Sequence, residues 1–290
     1  MADTEQMAIV RLGPDDAPAG LLLSTEAHWN QNEADWRFFL GQATVFGVRD
    51  NHELIASAAL LPYSSGNAWI SMVLVTESWR RRGLATRLVD ACLAAAAEQN
   101  LTPWLDATPA GATVYGPLGF KPTLQLRRLR LENAMSTKAE APPSLSACTP
   151  EDFIARDRRA MGFDRVSLLA ELGGRSGSRL VSSGGARALV RDGRKARHIG
   201  PLLADSPDQA LALVNEIVRS ENGPLLIDAV FEQEEFLNGL TRSGWKIERP
   251  FQRMRFGRAA SAADAGRLCN TVPLTACTRS QRPCRPARRR

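Results

Sequence analysis

Three consecutive arginines, Arg80-Arg81-Arg82, run directly into Gly83-Leu84-Ala85-Thr86, and residues of these types at this spacing suit the binding of phosphate groups. Gly83 can adopt a positive φ without steric cost, and Ala85 keeps the backbone approachable. If a helix starts here, its first N–H groups have no intrahelical acceptor and stand at the positive end of its dipole. Amides and guanidinium groups aimed at one place form an anion pocket. Other chemistries find no support. The chain has no Gly-x-Gly-x-x-Gly, no Gly-Lys-Ser/Thr phosphate loop and no His-Glu-x-x-His zinc motif. Its three histidines, His28, His52 and His198, form no recognisable nucleophile arrangement.

The elements that must hold this turn are legible on both sides. Val73-Leu74-Val75 reads as the end of a strand, and Leu84, Leu88, Val89, Cys92 and Leu93 recur at helical spacing. Further on come Leu105-Asp106-Ala107-Thr108-Pro109-Ala110-Gly111 and Val114-Tyr115-Gly116-Pro117-Leu118-Gly119-Phe120. Together these segments resemble the GNAT superfamily of acyl-CoA-dependent N-acetyltransferases. The arginine-glycine turn is similar to its pyrophosphate motif, Arg/Gln-x-x-Gly-x-Gly/Ala. The stretch from Leu105 to Phe120 is similar to its late strand and helix with a Tyr-x-x-x-Gly-Phe element. The resemblance is good over 43–131 and thinner before that.

The resemblance implies an α/β fold of mixed α+β type: a central mixed sheet flanked by helices. It implies acetyl-CoA as co-substrate, no metal, and a small primary amine as acceptor. Residues Arg80, Arg81, Arg82, Gly83, Leu84, Ala85 and Thr86 would anchor the pyrophosphate. Main-chain groups of Val73, Leu74 and Val75 would pair with the pantetheine arm like an added strand, and Thr108, standing where the family often has Asn, would offer it a hydroxyl. Tyr115 would protonate the departing thiolate. An alkyl amine has a pKa near 10, so the acceptor needs a base or a desolvating pocket. Ser71-Met72-Val73 supplies no carboxylate where many members place a glutamate; Asp106, Glu26 and Asp35 stay open as candidates, as does a water-mediated route. The stretch His28-Trp29-Asn30-Gln31-Asn32 with Asp35-Trp36 falls where similar proteins wall the acceptor cleft, although Trp29 and Trp36 suit a core equally well. The alternative function is a non-catalytic acyl-CoA-binding regulator on the same scaffold.

At 290 residues with 44% hydrophobic content, the chain is comfortable for two domains. The expected division is a GNAT domain at 1–132, a linker at 133–147, a further GNAT-like domain at 148–256 and a disordered basic tail at 257–290. The formal charge of +6 belongs to that tail, which holds eight arginines against Asp264; the near-neutral remainder gives a nucleic-acid partner no support. The acidic N-terminus and the absence of a long apolar run argue for a cytoplasmic protein without a membrane partner; a homo-oligomer stays open.

In the second half, Ile227-Asp228-Ala229 and Gly244-Trp245 echo Leu105-Asp106-Ala107 and Gly119-Phe120. There Ile199-Gly200-Pro201-Leu202-Leu203 leads into Ala204-Asp205-Ser206-Pro207, with an acid in place of arginine. The second half therefore reads as a degenerate GNAT-like domain without a cofactor site. Phe163-Asp164-Arg165 is expected to be an exposed helix cap, with a contribution to the cleft as the alternative.

Overall fold

The computed structural model describes residues 7–134 and 145–257. Linker positions 135–144 and the basic tail from 258 onward, with the disorder expected of it, lie outside the described residues.

The first half runs β1 (Ile9–Arg11), α1 (Ala17–Glu26), α2 (Glu33–Gln42), β2 (Thr44–Asp50), β3 (Glu53–Tyr63), β4 (Asn67–Val75), α3 (Leu84–Glu98), β5 (Thr102–Ala107), α4 (Pro109–Tyr115) and β6 (Phe120–Ala134). The second runs β7 (Ser146–Ala147), α5 (Pro150–Met161), α6 (Val166–Gly174), β8 (Arg179–Ser183), β9 (Ala186–Arg191), β10 (Arg197–Leu203), α7 (Pro207–Ser220), β11 (Gly223–Val230), α8 (Glu234–Arg242) and β12 (Lys246–Phe256). Helix starts follow the capping residues. The side chains of Asn32, Thr149 and Ser206 each accept an N–H from the first turn of α2, α5 and α7, satisfying donors that the helix itself cannot.

One 12-stranded sheet carries both halves, in the order β1-β2-β3-β4-β5-β12-β6-β11-β10-β9-β8-β7. The last strands are exchanged. β12, from the second half, lies antiparallel to β5, while β6, from the first half, lies antiparallel to β11. β6 and β12 also pair with each other, so neither half closes its sheet without the other.

The two faces of the sheet differ. Leu105 and Ala107 of β5 pack with Leu84, Leu88, Val89 and Cys92 of α3. Ile227 and Ala229 of β11 pack with α7 and α8. The residues between them, Asp106 and Asp228, point to the opposite face and line a cavity, as the two-residue period of a strand requires. On that face Trp36 and Leu40 of α2 belong to one cluster, and Leu169 and Leu172 of α6 to another. Trp36 is fully buried, with its Nε1 donating to Ser24 Oγ at 2.8 Å. A Cβ at Gly20 would sit 2.4 Å from its indole, so α1 can approach α2 this closely only with glycine there. Burying a side chain of this size contributes roughly 1.5–3 kcal/mol.

Candidate functional site

The turn between β4 and α3 has the shape its sequence suggests. After a single 3-10 turn at Glu77–Trp79, Arg81 takes φ 61° and Gly83 φ 79°. Nothing lies within 4 Å of a Cβ built on Gly83, so the backbone conformation, not space, calls for glycine. Gly83 is the N-cap of α3 and makes no side-chain cap bond, which leaves the first-turn amides without a capping acceptor. Arg80 Nε donates to the Val75 carbonyl at 3.2 Å, and Arg82 donates to the Ser78 carbonyl at 2.9 Å. The Arg82 guanidinium also lies 4.7 Å over the Trp79 ring. Arg80 and Arg81 share a shallow polar depression with Glu77, Ser78 and Arg82. Leu84 is buried, so it offers this surface only its amide; Ala85 and Thr86 are half-buried beside it.

Glu26, a candidate base, is used here as a brace. Its carboxylate accepts the Thr76 hydroxyl and the Glu77 N–H, and the Thr76 bond leads in holding its pKa below the usual carboxylate value. That makes it a weaker base.

The corresponding turn of the second half differs in the one respect that matters for an anion. Ser206 caps α7 by accepting from Gln209 N at 3.2 Å, and Asp205 N donates to Gln209 Oε1. At α7 the Gln209 amide is taken by its cap and Pro207 has no N–H to offer, beside an exposed carboxylate.

From the turn, a wedge opens in the sheet. β4 and β5 are parallel and paired only from Asn67–Thr102 to Trp69–Trp104. Beyond Trp69 no pairing joins them among the described residues. On their far sides β4 stays bonded to β3, and β5 to β12. Val73, Leu74 and Val75 thus lie along an unpaired backbone edge, a ready template for an extended ligand. Met72 takes φ 53° at an irregularity in the β3–β4 register, and Ser57 Oγ donates to its carbonyl at 2.8 Å. Nothing in the sequence marks this bulge, because methionine carries no turn signal.

Thr108 is the N-cap of α4, its hydroxyl accepting from Gly111 N at 3.1 Å. Tyr115 ends the same helix on the α3 side of the sheet, its ring 6.1 Å from Phe120. A Cβ on Gly111 would meet that ring at 3.0 Å, so the glycine leaves it room. Burial, then the nearby Cys92, pushes the Tyr115 phenol up to about 12, so it carries its proton at neutral pH.

On the other face, the wedge meets a cavity of about 230 Å³. Trp69, Ser71 and Met72 of β4 line it, with Asp106 of β5. Trp29 and Gln31, in the loop between α1 and α2, and Asp35 of α2 form one wall. The two tryptophans therefore separate: Trp36 is core and Trp29 faces the cavity. The second half supplies the opposite wall, including Arg165, Leu168 and Arg175. This corrects the expectation that Phe163-Asp164-Arg165 is only an exposed cap. Phe163 stacks on Tyr63 with ring centroids 5.5 Å apart, and Arg165 is buried in a bidentate pair with Asp157. Asn30 fastens the two walls together, donating to Ala196 O at 2.9 Å and accepting from Lys195 N and Ala196 N.

The repeated aspartates have one explanation. Asp106 of β5 is register partner to Arg253 of β12, and both of its oxygens accept from that guanidinium at 2.8 and 2.9 Å. Asp228 of β11 is register partner to Arg128 of β6, with two bonds of 2.7 Å. Each half's aspartate is thus clasped by an arginine on the other half's last strand. Asp35 likewise accepts from Arg175 at 2.6 Å and closes a capping box with Asn32. Beneath the cavity Arg191 donates to His198 Nδ1 at 3.2 Å, and His198 Nε2 lies 3.6 Å from Asp228. Burial, more than any neighbour, lowers His198 to about 4, so the ring is neutral, with Nδ1 accepting. Despite its own burial, Asp228 stays well below the usual carboxylate range because Arg128 faces it.

An uncapped helix start, an open wedge between two parallel strands and a cavity at its end thus lie together in the first half. Residues 15–120 match the Acetyltransferase (GNAT) family, and residues 154–268 match the Acetyltransferase (GNAT) domain. The chain belongs to the GNAT superfamily, with two such domains in tandem. It is 24% identical over 247 residues to the Uncharacterized N-acetyltransferase YitH of Bacillus subtilis (strain 168), covering 82% of this chain and 87% of that one. A solved structure from Pyrococcus horikoshii shares the fold with a TM-score of 0.74 at 20% identity, over 89% of this chain and 92% of that one. The tandem GNAT protein from the clavulanic acid biosynthesis pathway does so with a TM-score of 0.64 at 13% identity, over 86% and 98%. No helix among the described residues is long and apolar enough to cross a membrane.

Proposed function

We propose that the chain transfers an acetyl group from acetyl-CoA to a small primary amine by direct attack, using the β4–β5 wedge of its first half alone. The carrying observation is the continuity of three features: the uncapped start of α3, the unpaired edge at Val73–Leu74–Val75 and the cavity beside Ser71. That arrangement fits a diphosphate followed by an extended, amide-bearing arm. Arg80, Arg81 and Arg82 hold the phosphates with the amides of Gly83, Leu84, Ala85 and Thr86. The backbone of Val73, Leu74 and Val75 aligns the arm, and the Thr108 hydroxyl, already bonded to Gly111, adds a contact. When bound, the coenzyme supplies an activated acyl group on a thiolate leaving group.

Tyr115, protonated at neutral pH, gives that thiolate a proton. No carboxylate in the cavity is uncommitted, since Asp35, Asp106 and Asp228 each accept from an arginine. The guanidinium-rich walls act on the amine instead. Neighbouring positive charge and loss of water both disfavour an ammonium ion, so the acceptor sheds its proton on entry, and a water carries that proton away. The capped and acidic start of α7 supports a second half that builds the acceptor wall without binding coenzyme.

Calorimetry with coenzyme A and thiol release from acetyl-CoA across an amine panel test this reading. Binding followed by turnover is expected. Binding without turnover on any amine would instead favour a non-catalytic acyl-CoA-binding protein.

A further inference from the structure

The loop between α1 and α2 carries Trp29 and Gln31 to the cavity, yet its own half fastens only its two ends. At the start, His28 N donates to Thr25 O at 3.0 Å and Trp29 N to Ser24 O at 2.9 Å. At the far end, Asn32 and Asp35 close the capping box of α2. The middle is gripped by the second half. Asn30 Oδ1 accepts from Lys195 N at 2.8 Å and from Ala196 N at 3.0 Å, while its Nδ2 donates to Ala196 O at 2.9 Å. Arg194 N donates to the Asn30 carbonyl at 2.8 Å, and Arg194 Nη2 donates to the Trp29 carbonyl at 2.9 Å. Each of these partners lies on the hairpin that joins β9 to β10.

The fit is close enough to demand glycine. A Cβ on Gly193 would stand 2.1 Å from Asn30 Nδ2 and 2.7 Å from Ala196 O, so a side chain there would push hairpin and loop apart. The base of the same hairpin belongs to the cavity, which Arg191 lines from the end of β9. One short ribbon therefore reaches the acceptor space with its base and the loop with its tip.

We propose that Asn30 and Arg194 are positioning residues, through which the β9–β10 hairpin holds Trp29 and Gln31 in place and so sets the affinity for the amine. This rests on the transferase reading, and it gives the second half a duty that needs no coenzyme of its own. Released from the hairpin, the middle of the loop regains backbone freedom that an entering amine must remove again. The loss falls on the acceptor alone. Glu26, which braces the phosphate turn, precedes the loop, and the wedge keeps its outer pairing to β3 and β12.

The test uses the full-length protein and whichever amine of the panel the unmutated chain acetylates fastest. Thiol release at saturating acetyl-CoA gives kcat and the acceptor KM, and calorimetry gives the affinity for coenzyme A. Asn30→Ala loses its three side-chain bonds to the hairpin. It should raise the acceptor KM about 10–100-fold, with kcat held within about threefold and coenzyme affinity within about twofold. Arg194→Met, at an exposed position, removes a single bond and should raise the acceptor KM about threefold. Arg194→Lys keeps a donor on a stem of similar reach and should restore it. An unchanged acceptor KM in both Asn30→Ala and Arg194→Met would overturn the proposal and leave the transferase reading intact. So would a lysine that fails to rescue, or losses of kcat and coenzyme affinity as large as the loss of acceptor affinity. Should Asn30→Ala fail to fold, Arg194→Met and its lysine control decide alone. No acetylation of any amine by the unmutated chain would refute the transferase reading, and the proposal with it.

Discussion

Removing both partners of the Asp106–Arg253 pair should cost well below the two single removals added together. Arg253 comes from β12 and Asp106 from β5, so this pair helps fix the register of an exchanged strand. The Arg253 side chain is 2% exposed and that of Asp106 is 23% exposed. Breaking a buried pair costs about 3–5 kcal/mol because the orphaned charge stays out of water. Asp106→Leu orphans the deeply buried guanidinium and should sit at the upper end of that range. Arg253→Met orphans a carboxylate that water can partly reach and should fall near 3 kcal/mol, about 1 kcal/mol of it from the cation–π contact with Trp69 at 4.9 Å. The double variant Arg253→Met/Asp106→Leu leaves no orphan, so it should recover about 2–4 kcal/mol relative to the summed singles. Urea denaturation at pH 7, followed by tryptophan fluorescence and far-UV circular dichroism, measures all four proteins. Both probes should report one coincident transition, because each half lacks a strand of its own. Additivity within about 0.5 kcal/mol, or two separate transitions in the unmutated chain, would refute the reasoning.

Three further outcomes are expected. Tyr115→Phe should lower kcat by roughly ten- to a thousandfold, the scale of general-acid loss, with little change in coenzyme affinity; an unchanged kcat would remove Tyr115 from the mechanism. Replacing Arg81 and Arg82 together by alanine should weaken coenzyme A binding about tenfold in low salt. The deficit should shrink in about 0.5 M salt as exposed charges are screened, and calorimetry at both ionic strengths reads this directly. His198 should make the fold acid-sensitive. Its pKa falls from 6.5 to about 4 on folding, so between those values the unfolded chain binds the extra proton. Stability is then complete above about pH 6.5 and is lost as pH falls toward 4, by up to about 3 kcal/mol. Urea midpoints across that window should fall for the native chain and fall less for His198→Gln.

Much of the fold was legible along the chain. The helical spacing of Leu84, Leu88, Val89 and Cys92 marked α3, and the run Val73-Leu74-Val75 marked the end of β4. The phosphate turn was equally readable, since a strand end, a glycine and three cations are close neighbours in the chain. The acceptor wall was less legible: Arg165, Leu168 and Arg175 reach the cavity from a region far along the chain from the β4 and α2 residues they face. The echo between Asp106 and Asp228 was visible as a repeat. Its meaning was not, because neither Arg253 nor Arg128 is close to its aspartate in sequence.

Local features were written into the order of residues: strand, turn, uncapped helix start and the two-residue alternation that sends Asp106 and Asp228 to one face. These depend on φ/ψ preferences and on neighbours within a few residues. The exchange of β6 and β12, and the ion pairs that occupy the candidate bases Asp35 and Asp106, arise only when the chain is folded. Pairing across a sheet is set by hydrogen-bond register and burial between distant segments, and a residue's charge balance depends on which side chains that register brings against it.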